Sequence, residues 1–202
     1  MRIPNFEMER MQSTWENLVA FDMSESGVRP VTLRELTALG LDLEAALDMP
    51  LGYSQSNGTI ALRERLAAIY PGATVDHIEV TNGTSEANYL VALALLQPGD
   101  EMAMEIPNYM QLWGVPQSLQ APLRTFRLRP EAGWEPDWDE FERAVTPKTR
   151  LLYLSNPNNP SGAILSASAM ERVVRRCEQT GTILLADEVN RYDRNAHLLH
   201  LR

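Results

Sequence analysis

The chain has 202 residues, 44% of them hydrophobic and 22% charged, an ordinary globular composition with enough length to bury a core. A formal net charge of −9 argues against nucleic acid or an anionic membrane surface as a partner. No apolar run approaches the roughly 20 residues of a membrane span, Met1–Glu7 holds no apolar signal core, and the single cysteine excludes an internal disulfide, so a cytoplasmic location is expected.

The first fifty residues mix short helical stretches, such as Thr32–Ala38, with turns such as Ser24–Pro30. They are expected to form an arm or part of a smaller lobe. From residue 51 onward, apolar runs of strand length alternate with longer helical patterns. The expected helices are Thr59–Tyr70, Ser85–Leu96, Tyr109–Gln117, Trp138–Ala144 and Ser166–Thr180. The expected strands are Ile78–Val80, Glu101–Ile106, Leu123–Leu128, Leu151–Ser155 and Thr182–Asp187. Mostly apolar strands alternating with helices predict an α/β fold with a mainly parallel sheet flanked by helices. Asp137 suits the N-cap of its helix, and Gly181 can close the helix before the last strand. Cys177 and the methionines, Met102 and Met104 among them, suit core or interface packing.

Four motifs follow predicted strands. In Thr81-Asn82-Gly83-Thr84-Ser85-Glu86 a glycine turn opens a helix, and free backbone N–H groups at a helix start form an anion site. The alternative there is a plain capping turn, with Thr84 or Ser85 as the cap. Glu105-Ile106-Pro107-Asn108-Tyr109 puts an aromatic ring at a strand's carboxyl end, where open α/β sheets bind ligands and where a ring can stack on a flat heterocycle. Ser155–Gly162 carries two prolines and a glycine that restrict the loop, leaving an asparagine amide to donate to an oxyanion or phenolic oxygen. Asp187, at the end of an apolar strand, is costly to bury without a partner such as a protonated ring nitrogen or local backbone N–H groups. Together the four suit a ligand with a phosphate, a flat ring, a phenolic oxygen and a basic nitrogen.

From about Leu51 to Val189 this pattern resembles the class I/II aminotransferases, the fold-type-I enzymes that use pyridoxal 5'-phosphate (PLP). The resemblance also takes in Tyr53, Gly58 and Leu62-Arg63. It implies a partial, aspartate-aminotransferase-like large domain over 51–189, preceded by an arm or part of the small lobe over 1–50. Residues 190–202 would be a divergent tail. Gly83, Thr84 and Ser85 would hold the cofactor phosphate, Tyr109 would stack on the ring, Asn159 would bond the phenolic oxygen and Asp187 would pair with the ring nitrogen. Tyr53 would reach the phosphate of a neighbouring subunit in a homodimer, and Gly27 would approach the substrate carboxylate. The implied reaction is amino-group transfer between an amino acid and a 2-oxo acid. A PLP-dependent lyase or cyclase, or a non-catalytic PLP-fold binding protein, are the alternatives.

The sequence departs from the family in three ways. Asn190 stands where the family usually has tyrosine. Lys148 is the only lysine and lies in Thr146–Arg150, outside every site motif, so no residue matches the Schiff-base lysine. The family's C-terminal lobe has no counterpart. These departures imply a truncated chain, inactive alone, with family-like sequence breaking off at Val189. No metal site is expected; His197 and His200 in the tail lack a third ligand.

Overall fold

The computed structural model describes residues 2–24, 27 and 29–190. The divergent tail from 191 onward, with His197 and His200, lies outside the described residues. The chain divides into two compact units, one of residues 7–80 and one comprising the amino-terminal segment to Phe6 and the chain from Thr81 onward.

The 7–80 unit is built from short helices: α1 (Glu7–Trp15), α2 (Leu33–Ala38), α3 (Leu43–Leu47) and α4 (Ile60–Ala67). Three begin on side-chain caps. Thr32 and Glu35 form a reciprocal capping box, Asp42 caps α3 and Thr59 caps α4. Arg63 is buried on α4, and its guanidinium donates to the carbonyls of Gly58 (3.0 Å) and Val75 (2.9 Å). The expected strand Ile78–Val80 is a correction: this stretch follows a 3-10 turn and pairs with no strand among the described residues. Three residues supply too few ladder bonds, and what remains is one bond from Val80 N–H to the Asn57 carbonyl at 3.1 Å.

The other unit is a five-stranded sheet in the order β3-β2-β1-β4-β5. Its strands are β1 (Glu101–Ile106), β2 (Leu123–Arg129), β3 (Glu135–Pro136), β4 (Thr149–Ser155) and β5 (Ile183–Asp187). The pairs β1–β2, β1–β4 and β4–β5 are parallel, and only the two-residue β3 is antiparallel. Helices α5 (Thr84–Leu95), α6 (Gln111–Ser118), α7 (Trp138–Ala144) and α8 (Ala167–Thr180) cover both faces. Alternation along the strands divides the core. Met102, Met104, Leu151 and Tyr153 pack with Ala92 of α5 and Leu112 of α6. Ala103, Leu152 and Leu154 pack with Phe141 of α7 and Val173 of α8. Asp137 caps α7 and Gly181 ends α8, as the sequence suggests. Cys177 is buried on α8, and burial pushes its thiol up to about 11.

The methionines divide: Met102 and Met104 are core residues, whereas Met8, Met11 and Met23 are exposed. Among the described residues no helix is long and apolar enough to cross a membrane.

Candidate functional site

Parallel strands align their carboxyl ends, and the four motifs gather there. The turn Gln97–Asp100 leads from the end of α5 directly into β1, so the helix runs against the strand. The start of α5 therefore lies beside the end of β1. Gly83 is the N-cap, with φ +83° and no side-chain capping bond. Thr84 and Ser85 are inside the helix, and neither caps it. The first N–H groups of a twelve-residue helix thus carry no side-chain cap, which suits an anion, while the Glu86 carboxylate of the first turn is held back by the N–H and side-chain amide of Asn82. A methyl group at Gly83 would meet nothing within 4 Å, so there is room beside it.

One turn along the same helical face lies Asn88. It is buried, and its amide donates to Oδ2 of Asp187 at 3.0 Å. Gln111 of α6 lies next to this pair: its amide nitrogen donates to the Ser85 carbonyl at 2.6 Å, and its oxygen accepts from Asn88 at 3.4 Å. The helix start is thereby tied to the end of β5.

Asp187 is only 5% exposed. The Tyr153 hydroxyl donates to Oδ2 at 2.9 Å, and the Val189 N–H donates to Oδ1 at 3.1 Å. Each carboxylate oxygen can accept two bonds, so Oδ1 retains one acceptor direction for a further donor. Burial, then the neighbouring Asp187, raises the Tyr153 phenol far above its ordinary range, so Tyr153 remains a donor at any physiological pH. Both of the partners weighed for Asp187 from sequence therefore have a place: a local backbone N–H is present, and capacity for a ligand donor remains.

The loop after β4 holds three asparagines with different employments. Oδ1 of Asn156 accepts from Leu165 N–H at 3.0 Å. Asn158 is buried; its Oδ1 accepts from the hydroxyl and N–H of Ser161, and its amide donates to the Pro107 carbonyl at 3.1 Å. Asn159 is partly exposed, its N–H donates to Ser155 Oγ at 3.3 Å, and its side-chain amide makes no hydrogen bond among the described residues. Of the three, Asn158 is fully committed within the loop and Asn156 uses its oxygen there, whereas Asn159 has its whole side-chain amide available to a ligand. Asn156 N–H also donates to the Asp187 carbonyl at 2.9 Å, which ties this loop to the acid.

Tyr109 follows β1 after Pro107 and Asn108. Its ring is partly exposed and packs edge-to-face with that of Phe6, with centroids 5.0 Å apart at 64°. Pro4, in the same amino-terminal segment, passes close over Gly114 of α6, where a Cβ would come within 3.2 Å of the proline ring.

Gly27 and Tyr53 belong to the 7–80 unit, and both are exposed. Lys148 is exposed just before β4. Its carbonyl accepts from Glu101 N–H at the start of β1, so it lies at the opposite end of the sheet from Asp187. The seven residues of β4 put roughly 20 Å of strand between them. Among the described residues no cluster of three or more His, Cys, Asp or Glu could hold a metal ion.

Sequence reasoning missed Tyr153, Asn88 and Gln111 as partners of the site. Asn88 carries a usable signal, being a polar residue three places after Ser85 on an apolar helix; Tyr153 carries none, since a tyrosine in a buried strand reads as core.

A family model described as aminotransferase class I and II matches residues 30–190. An alanine aminotransferase of Mycobacterium tuberculosis is 34% identical over 160 residues, 76% of this chain and 37% of that protein. The glutamate-pyruvate aminotransferase AlaA of Escherichia coli K12 is also 34% identical over 160 residues, 39% of its own length. The crystal structure of a PLP-dependent aminotransferase from Streptococcus suis superposes with a TM-score of 0.87 at 31% identity, covering 94% of this chain and 52% of the other. The chain thus spans about two fifths of the curated relatives it matches and about half of that solved structure.

Proposed function

We propose, for a chain that belongs to the aminotransferase class I and II family, that these residues form the cofactor-holding part of an enzyme moving an amino group between an amino acid and a 2-oxo acid. Alanine and glutamate, with their 2-oxo acids, are the first substrates to test, because relatives named for alanine and for glutamate–pyruvate transfer align over 76% of the chain. The carrying observation is Asp187: a buried acid at the end of β5, held by Tyr153 and Asn88, with an acceptor direction to spare.

The family's cofactor is pyridoxal 5'-phosphate, and the residues present fit it. The N–H groups and hydroxyls at Gly83, Thr84 and Ser85 would take the phosphate. Tyr109 would offer a ring face, Asn159 would donate to the phenolic oxygen, and Asp187 would keep the ring nitrogen protonated. When bound, PLP supplies an electron sink for charge released at the substrate's α-carbon. Tyr53 would serve the phosphate site of a neighbouring subunit, making the assembly a homodimer, and Gly27 would lie near the substrate carboxylate. In domain terms, 51–189 would be large-domain sequence and 1–50 an arm or part of the small lobe.

Lys148, the one lysine of the sequence, lies at the far end of the sheet from Asp187 and so is not placed to move the proton at the substrate's α-carbon. That favours cofactor binding without turnover for these residues by themselves. The test is a PLP titration of the chain followed by absorbance, then dialysis. Saturable binding that dialysis removes, and that Asp187→Ala abolishes, supports the reading. Binding unaffected by Asp187→Ala, or no binding, would sink it.

A further inference from the structure

Glu105 is a buried acid that the proposed site does not use. It stands between Met104 and Ile106 near the end of β1 and is 2% exposed. Alternation along β1 sends Met102 and Met104 to the face shared with Tyr153, and Ala103 and Glu105 to the other. Glu105 therefore works from the opposite face of the sheet to Asp187. There it borders a small enclosed cavity whose other walls, apart from Ser155 and Asn158, are apolar, Phe126 and Leu154 among them.

Its two oxygens have unequal surroundings. Oε1 accepts from Ser155 N–H at 2.6 Å and from the Asn158 amide at 3.5 Å, while Oε2 is buried with no hydrogen-bond partner. An acid kept buried with one oxygen unsatisfied costs stability. An apolar residue would pack better against Phe126 and Leu154, but it could not hold the backbone of β4 at the point where the strand ends. Each donor to Oε1 leads to Asn159. Ser155 turns its hydroxyl to Asn159 N–H, and Asn158, the next residue back, also grips the Pro107 carbonyl on the exit of β1.

We propose that Glu105 is a positioning residue for the cofactor cradle. By joining the end of β1 to the end of β4 and to Asn158, its Oε1 fixes the 156–162 loop and so sets the direction of the Asn159 amide. The proposal rests on the reading of Asn159 as a ligand donor.

The experiment uses the full chain and two measurements. Amide hydrogen exchange is followed in peptides spanning 155–163, with β2 and α8 as internal references, and PLP affinity is measured by titration. Glu105→Ala is expected to speed exchange in 155–163 about tenfold and to weaken PLP by a similar factor, the loss of one buried hydrogen-bond acceptor, with β2 and α8 unchanged. Glu105→Gln, which keeps the acceptor oxygen, is expected to stay within about threefold of the parent in both. Should Glu105→Ala fail to fold, Asn158→Ala cuts one of the two links and is expected to release the same loop. Unchanged exchange in 155–163, equal acceleration across β2 and α8, or a glutamine variant as impaired as the alanine one would overturn the proposal. A parent chain that binds no PLP while the exchange pattern holds would sink the cofactor reading and leave the loop anchor standing.

Discussion

The Tyr153 hydroxyl donates to Oδ2 of Asp187 at 2.9 Å across the parallel pair β4–β5, in which Ser155 is the register partner of Asp187. Together with the Asn88 amide it gives a buried acid two side-chain donors on one oxygen. Tyr153→Phe keeps the ring packed and removes one of them, so we expect about 1–3 kcal/mol of lost stability in urea unfolding. Asn88→Ala should cost a similar amount. Because both bonds end on the same oxygen, the double variant should not equal the sum of the two. Strict additivity would mean that the two donors do not share Asp187.

Glu105 predicts a pH dependence of folding. Burial, opposed by the Ser155 N–H, then its own backbone N–H and then the Asn158 amide, and reinforced by the charge of Asp187, raises its carboxyl from 4.5 to about 8. The ionisable neighbours that it influences, or that influence it, are Asp187 and Tyr153. The folded chain therefore holds a proton that the unfolded chain releases between those two values. This contribution to stability is complete below pH 4.5, falls as pH rises, and is gone above about 8. Linkage puts its size at no more than about 5 kcal/mol. Urea midpoints from pH 5 to 9 should fall more steeply for the parent than for Glu105→Gln, which has no proton to lose. Parallel profiles would refute the assignment.

The frame of the fold was legible in the sequence because its signals are local. Strand β1 was expected at its observed bounds, since four apolar residues between turns leave few alternatives. Asp137 and Gly181 marked helix ends by capping chemistry alone. Ile78–Val80 misled because an apolar triplet reads as a strand whether or not a partner is near, and β3 escaped notice because two residues, one of them proline, carry no pattern. In the site, the sequence narrowed the ligand-facing asparagine to one loop, but only hydrogen-bond geometry separates Asn159 from the structural Asn158. Tyr153 and Glu105 depend on contacts between strands that sequence spacing cannot express.

Cys177 should behave as a reporter of opening. Its thiol is buried and pushed up to about 11 by that burial, so little thiolate exists at pH 8 and reagents cannot reach it. A disulfide-exchange reagent at pH 8 should label it fully in urea and slowly in buffer. Because Cys177 packs with Val173 and Leu154, labelling should slow further under any condition that stabilises the sheet. Labelling in buffer as fast as in urea would show that α8 is not packed as described.

Two glycines with positive φ should respond differently to alanine. Gly58 has φ +96°, and an added Cβ would lie 2.7 Å from Cβ of Val80, a branched side chain with little freedom to retreat. Gly83 has φ +83° and ψ 171°, a region essentially confined to glycine, with nothing within 4 Å of an added Cβ, so Gly83→Ala meets backbone strain only, about 1–3 kcal/mol. Gly58→Ala carries a similar strain plus the overlap, and should cost more in urea unfolding of the 7–80 unit. For PLP affinity the order should reverse. Gly83→Ala disturbs the turn that presents the first N–H groups of α5 and is expected to weaken binding severalfold, while Gly58→Ala leaves those N–H groups in place. A Gly83→Ala chain that binds PLP as tightly as the parent would remove the start of α5 from the phosphate site.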